Sequence, residues 1–276
     1  MTERTGMLPN PPLFYVLASV RFQPWLNLQS KIAEIQDELR DRFPLANGLV
    51  FENYIPKIGE AANSAPELAL TRRQAWSFMA PDRALGCQIS VDQIIVHTRS
   101  YSTFDRFAEA IAFVVGAVEK HARHFDVNSV GVRYLDKIAP AFDETLAQYL
   151  QPGFLPQPLE AGGLKTLGGI SQMAYATDSG ILQARFWTGE GYAAVPDDLA
   201  PLYLLTQDLA GAPETAWPLE RGQGTLDSDS IWSTAQPAKM VAREIVAKLR
   251  DLHVHANAFF RNACSEHAFK NWRREK

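Results

Sequence analysis

The polar residues of this chain that could best do chemistry are Arg133 and Asp136, in the stretch Gly131-Val-Arg-Tyr-Leu-Asp136. An arginine inside an otherwise apolar strand must reach solvent, a carboxylate or a ligand, because burying its charge unpaired is costly. A structural ion pair is the first answer to that requirement, and a bound carboxylate or phosphate is the second. Arg21, in an earlier apolar stretch, poses the same question. Tyr134 stands between the two residues, and His253 lies in a long helical run near the C-terminus. Arg133, Tyr134, Asp136 and His253 are therefore the expected polar lining of any cavity between a sheet and that helix.

Other spacings suggest less. His121 and His124 are three residues apart near a helix end and would need a third ligand to hold a metal. His253 and His255 point about 200° apart on a helix and cannot share one ion. Asp227 and Asp229 form a D-x-D pair in Thr225-Leu-Asp-Ser-Asp-Ser230, where small polar neighbours suggest a loop closed by Asp side chains. Gly168-Gly169-Ile-Ser171-Gln-Met173 lacks the second glycine of a nucleophile elbow. No glycine cluster matches a phosphate loop or a dinucleotide fingerprint. Trp76, Phe78, Trp187, Trp217 and Trp232 read as core before pocket. No catalytic set, metal set or cofactor motif emerges.

The elements that must position these residues are led by a helix from about Ala238 to Asn262. Val241, Ile245, Leu249, Leu252 and Phe259 form its apolar stripe, with charged residues mostly off it. At 1.5 Å per residue it is about 35 Å long and needs an apolar sheet to lie on. Phe14–Phe22 alternates as a strand after Asn10-Pro11-Pro12. A helix capped by Asn27 follows, and residues 45–72 are weakly patterned, with Gly59 to Pro66 as a loop. Three short strands then make a meander through Trp76, Cys87 and Ile94. Ser102 or Thr103 caps a second helix, and Val130–Ile138 is a further strand. Hairpin strands are expected at Ser171–Ala176 and Ile181–Trp187, another strand at Leu202–Leu209, a long loop at 210–236, and a last helix capped by Ser265.

This order predicts an α+β fold: a largely antiparallel, curved sheet with amphipathic helices packed on one face. Residues 1–138 and 169–276 read as two related halves joined by a wrapping segment at 139–168, whether as separate units or as one continuous sheet. Hydrophobic residues make up 46% of the 276, enough for a sizeable core. A net charge of -4 argues against a nucleic-acid footprint. No apolar run approaches the ~20 residues of a membrane span. Two distant cysteines, Cys87 and Cys264, and a polar N-terminus suit a cytoplasmic protein.

Four stretches in order carry a resemblance: Asn10-Pro11-Pro12 with the strand ending Val20-Arg21-Phe22; Trp76-Ser-Phe78 followed by Tyr101 and Phe104; Val130-Gly-Val-Arg-Tyr134; and Leu252-His253 with Phe259 or Phe260 and Trp272. Together they resemble a sporadically distributed bacterial family of about this length whose function is unassigned. Where that family has a Thr-Asp pair after the final helix, this chain has Ser265-Glu266. The resemblance implies a bacterial protein linked to mobile or defence neighbourhoods, and it supplies no catalytic residues. The leading expectation is a non-enzymatic binding or regulatory protein with a protein partner, using loops at 56–72, 188–200 and 210–236. The alternative is a binder of a small anionic molecule, or an enzyme, working in a cavity between sheet and C-terminal helix.

Overall fold

The computed structural model describes Arg4 and residues 6–57, 67–157, 162–207 and 218–274, with backbone only at 51–57 and 67–71. In chain order the elements are β1 (Leu13–Phe22), α1 (Leu28–Leu39), β2 (Leu45–Lys57), β3 (Glu67–Met79), β4 (Leu85–Ser90), β5 (Gln93–Thr98), α2 (Phe104–His121) and β6 (Asp126–Ile138). Then come α3 (Leu146–Tyr149), β7 (Gly168–Thr177), β8 (Gly180–Gly189), α4 (Ala200–Leu205), β9 (Gly224–Lys239), α5 (Ala242–Ala263) and α6 (Glu266–Arg273).

The strands form one nine-stranded sheet in the order β2-β3-β4-β5-β1-β6-β9-β8-β7, and every paired neighbour is antiparallel. The fold is α+β, as the alternation predicts. The sheet runs unbroken through residues 1–138 and 169–276. They meet where β6 pairs with β9, Val132 opposite Ser230 and Tyr134 opposite Ser228.

Alternation sorts each strand onto two faces. On the front, Val16, Ala18 and Val20 of β1 and Val130, Val132 and Tyr134 of β6 join the main core with α1, α2 and α5. Ile245, Leu249, Leu252 and Ala256 are the buried stripe of α5, which lies where its periodicity requires. Its N-terminus is closed by Glu119 of α2, whose carboxylate accepts from the Ala242 amide at 3.0 Å. Thr103 caps α2 by accepting from the Arg106 amide, and Ser265 caps α6 by accepting from the Ala268 amide. Asn27 stands at the N-cap of α1 without a side-chain hydrogen bond.

The amphipathic helices α1, α2 and α5 share the front face, as expected, and the back has a smaller cover of its own. On the back, Tyr15, Leu17, Ile95, Leu135 and Trp187 pack under Val195, Leu199, Leu202, Tyr203 and Leu219. This cover is α4 with the segment before it, anchored where Trp187 Nε1 donates to the Ala193 carbonyl and Thr225 Oγ1 to that of Ala194. The described part of the expected strand at Leu202–Leu209 is helix through Leu205: a short apolar run fits either element, and Pro201 suits a first helical turn.

Two loops of the sequence reading are strands. Residues 45–57 and 67–79 form a hairpin, of which only Ala75–Met79 pairs onward with β4. The exposed positions 46–48 and 50 show why no buried alternation marks it. The expected loop at Gly59 to Pro66 lies outside the described residues. Residues 224–236 belong to β9, whose Ser and Asp residues conceal a strand held between β6 and β8. No helix is long and apolar enough to cross a membrane among the described residues.

Truncating the α5 stripe tests the packing. Leu249→Ala should cost about 2–5 kcal/mol in urea unfolding, whereas the exposed Arg243→Ala should stay within about 0.5 kcal/mol of the parent.

Candidate functional site

The β6 alternation separates the residues expected to work together. Arg133 points to the back face, where it is 6% exposed. Its Nε and Nη2 donate to the two carboxylate oxygens of Asp227 at 2.8 and 2.8 Å. Its Nη1 donates to Asp198, just before α4, at 2.5 Å. Arg185 of β8 donates to the same Asp227 through Nε and Nη2 at 3.0 and 2.6 Å. Asp227 is 1% exposed, so the two guanidinium groups replace the water it has lost. Burial works against the Arg133 charge, but Asp227 and Asp198 outweigh it and hold its pKa above the ordinary value. Beside them, burial and then the Asp227 charge push Asp229 up to about 6, against the pull of Arg133. Arg133 is therefore a structural ion pair, the first of its two expected roles.

Tyr134, Asp136 and His253 do share one cavity on the front face. It has a volume of about 540 Å³ and lies between β6, Ser228 of β9, the start of α2, α5 and residues 6–13. Leu13 and the prolines of Pro9 to Pro12 form an apolar wall with Met7, Leu8, Phe104, Ala256 and Phe260. This segment is fastened to the chain's other end: Asn10 Nδ2 donates to the Arg274 carbonyl at 2.6 Å, and its amide to that of Trp272 at 3.0 Å. Next to β6, the Lys137 amide donates to the Pro12 carbonyl at 2.9 Å.

The polar lining falls into two groups. Tyr134 Oη and His253 Nδ1 are hydrogen-bonded at 2.7 Å, and the imidazole stacks on Phe104 with ring centres 4.6 Å apart. Burial, with Arg250 and Arg261 nearby, lowers the His253 pKa to about 4, so the ring is neutral at physiological pH. Burial and then Tyr101 hold the Tyr134 hydroxyl well above its ordinary pKa. This pair is a neutral hydrogen-bonding unit with an aromatic floor.

The second group is Asp136 with Arg261 and Asn257. Asp136 is 4% exposed and has no hydrogen-bond or ion-pair partner among the described residues. Burial, reinforced by Asp227 across the sheet, pushes its pKa to about 8. Arg261 donates through Nε to Asn257 Oδ1 at 3.0 Å and through Nη2 to the Gly6 carbonyl at 3.1 Å, while Nη1 is buried and has no partner among the described residues. Burial and then Arg273 lower its pKa. Buried, unsatisfied polar groups in a cavity wall mark a place where a ligand can supply the missing bonds.

Arg261 and Asn257 escaped the sequence reading, although the signal was present. His253, Asn257 and Arg261 recur at four-residue steps, a polar line beside the apolar stripe of α5. The other motifs are structural. His121 bridges helices by contacting Glu34 and Glu38 of α1 at 3.2 and 2.5 Å. Asp227 and Asp229 both sit in β9, Asp229 opposite Arg133 and Asp227 opposite Leu135. Phe78 is buried, while Trp76 and Trp232 pack against the front core. Trp187 packs in the back cluster, and Trp217 lies outside the described residues. No three His, Cys, Asp or Glu side chains among the described residues are grouped to hold a metal ion.

No protein-family model, curated protein or solved structure matches this chain.

Two outcomes separate the faces. Arg133→Ala should cost about 3–5 kcal/mol by denaturant unfolding, because it strips a buried carboxylate of its main partner. Asp198→Ala, whose side chain is 59% exposed, should cost under about 1 kcal/mol. For Asp136, the unfolded carboxyl ionises near about 4 and the folded one keeps its proton to about 8, so rising pH removes stability across that interval. From pH about 7.5 to about 8, above the titration of His97 and His253 in the unfolded chain, stability should fall by up to about 1 kcal/mol per pH unit. Asp136→Asn should abolish that slope in unfolding curves taken at successive pH values.

Proposed function

We propose that this protein binds a small amphipathic molecule in the front-face cavity, its anionic head held by Arg261 and its apolar body lying against residues 7–13, Phe104 and Phe260. The observation that carries this reading is a pair of polar groups in one cavity wall that, among the described residues, are unmet: the buried Asp136, which makes no hydrogen bond or ion pair, and the buried Nη1 of Arg261. Folding alone gives no reason to bury them so, since an unsatisfied polar group costs about 1–3 kcal/mol and a ligand that bonds to it removes the penalty. The volume of about 540 Å³ falls within the range of small-molecule sites. Apolar walls with a few polar groups are the usual composition of such a site.

The reading as a regulatory partner of another protein, tied to defence or mobile-element systems, would use three loops as its contact surfaces. Of these, 188–200 is packed partly onto the back face, with Ala194, Val195 and Leu199 buried. Residues 224–236 are a paired strand. Most of 56–72 and 210–223 lies outside the described residues, so the cavity has the stronger support. Such a binder would work in the cytoplasm, in keeping with two unbridged, buried cysteines, Cys87 and Cys264.

Thermal unfolding with octanoate, 3-phenylpropanoate and indole-3-acetate tests this. At least one should raise Tm saturably in the parent, and Arg261→Met should remove the effect while keeping its own unliganded transition. If none shifts Tm at millimolar concentration and native purification yields no retained small molecule, the reading fails.

A further inference from the structure

The sheet has two outer strands, β2 and β7, and they are built differently. β2 contains Glu52, Pro56 and Lys57, residues of the kinds that blunt an edge against further pairing. β7, Gly168–Thr177, contains no charged residue and no proline. Among the described residues it pairs with β8 alone. Ile170, Gln172, Ala174, Tyr175 and Ala176 are exposed, as are Leu164 and Leu167 just before the strand.

A long, uncharged edge with exposed apolar side chains is a template for another extended strand. The turn at Asp178-Ser179 fixes which backbone groups are on offer. It joins Thr177 to its partner Gly180, so Thr177 and every second residue before it bond to β8. Gly168, Ile170, Gln172, Ala174 and Ala176 turn their amides and carbonyls outward.

We propose that the strand completing this edge is β7 of a second copy of this chain, antiparallel to the first about a twofold axis at Gln172. That axis sets Ile170 opposite Ala174 of the second copy on one face and Met173 opposite Ser171 on the other. A larger side chain thus lies beside a smaller one in both pairs. Gln172 meets its own counterpart, and two primary amides can exchange hydrogen bonds. Lys165 comes opposite Ser179 of the second copy, the neighbour of Asp178, so unlike charges meet at both ends of the contact. The outward-facing residues supply about ten backbone hydrogen bonds, as many as a typical interface. The strand offers 10 residues, against the about 20–30 a side of a standard interface, so the dimer dissociates on dilution. The contact is isologous and closes on itself, joining two sheets without leading to a fibre. This surface is separate from the cavity and does not depend on the small-molecule reading.

Sedimentation velocity of the full chain, from about 1 μM to about 1 mM, tests the pairing. The parent should pass from monomer toward dimer as concentration rises. Gln172→Lys, at an exposed position, sets two like charges against each other at the axis and should weaken the dimer about fivefold or more. Lys165→Glu should also weaken it, and adding Asp178→Lys should restore it, because the reversed charges again meet their opposites. Unfolding transitions matching that of the parent confirm the fold of each variant. A parent that stays monomeric throughout leaves the edge to a strand of some other protein and overturns the proposal. A dimer that Gln172→Lys leaves unchanged lies on another surface and overturns it equally. A double variant no tighter than Lys165→Glu rules out the antiparallel twofold pairing.

Discussion

The interaction on which this architecture depends is the pairing of β6 with β9, and within it the contact of Arg133 with Asp227. These two strands join six strands of the first part of the chain to three of the second. A carboxylate that is 1% exposed could not stand there unless cations arrived with it. Arg133 comes from one side of the junction and Arg185 of β8 from the other, so the charge balance closes only when all three strands are in register. A slip of one residue would turn each of these side chains to the opposite face. The ion network thereby acts as a register pin more than as a source of net stability.

The same alternation explains why the two faces of the sheet differ in character. The back face pairs Arg133, Arg185, Asp198 and Asp227 with one another and is covered by α4 and the segment before it. The front face is mostly sealed by helices, except where residues 6–13, the start of α2 and the later half of α5 leave space over the end of β6. Two adjacent residues, Arg133 and Tyr134, consequently belong to different worlds: one is locked in salt bridges and the other lines an open cavity.

Much of this was legible in the residues. The α+β class, the front-face helices and the 171–187 hairpin follow from periodicities of about 3.6 and 2. The pairing of His253 with Tyr134 across the cavity was implicit in their placement on facing elements. What could not be read has physical causes. The hairpin at 45–79 has little buried face to imprint a pattern, and β9 is built of Ser and Asp residues whose suitability comes from partners distant in sequence. Arg133 was grouped with the cavity residues because strand proximity was allowed to override strand parity, though the apolar alternation around it already put Arg133 opposite Tyr134. Arg261 was missed because a polar line beside an apolar stripe ordinarily means only the edge toward solvent.

The two faces also differ in how freely they can vary over evolutionary time. In the back-face network, a replacement at 133, 185 or 227 removes one partner of a shared buried ion cluster, so those positions are coupled. Among the described residues, Asp136 has no hydrogen-bond or ion-pair partner, and the Arg261 side chain donates to an amide oxygen and a backbone carbonyl. A new residue at either place orphans no buried charge. Under the small-molecule reading proposed above, the cavity is free to drift toward other ligands while the sheet that frames it stays fixed, and a lineage built on this scaffold would diversify in what it recognises before it diversified in shape.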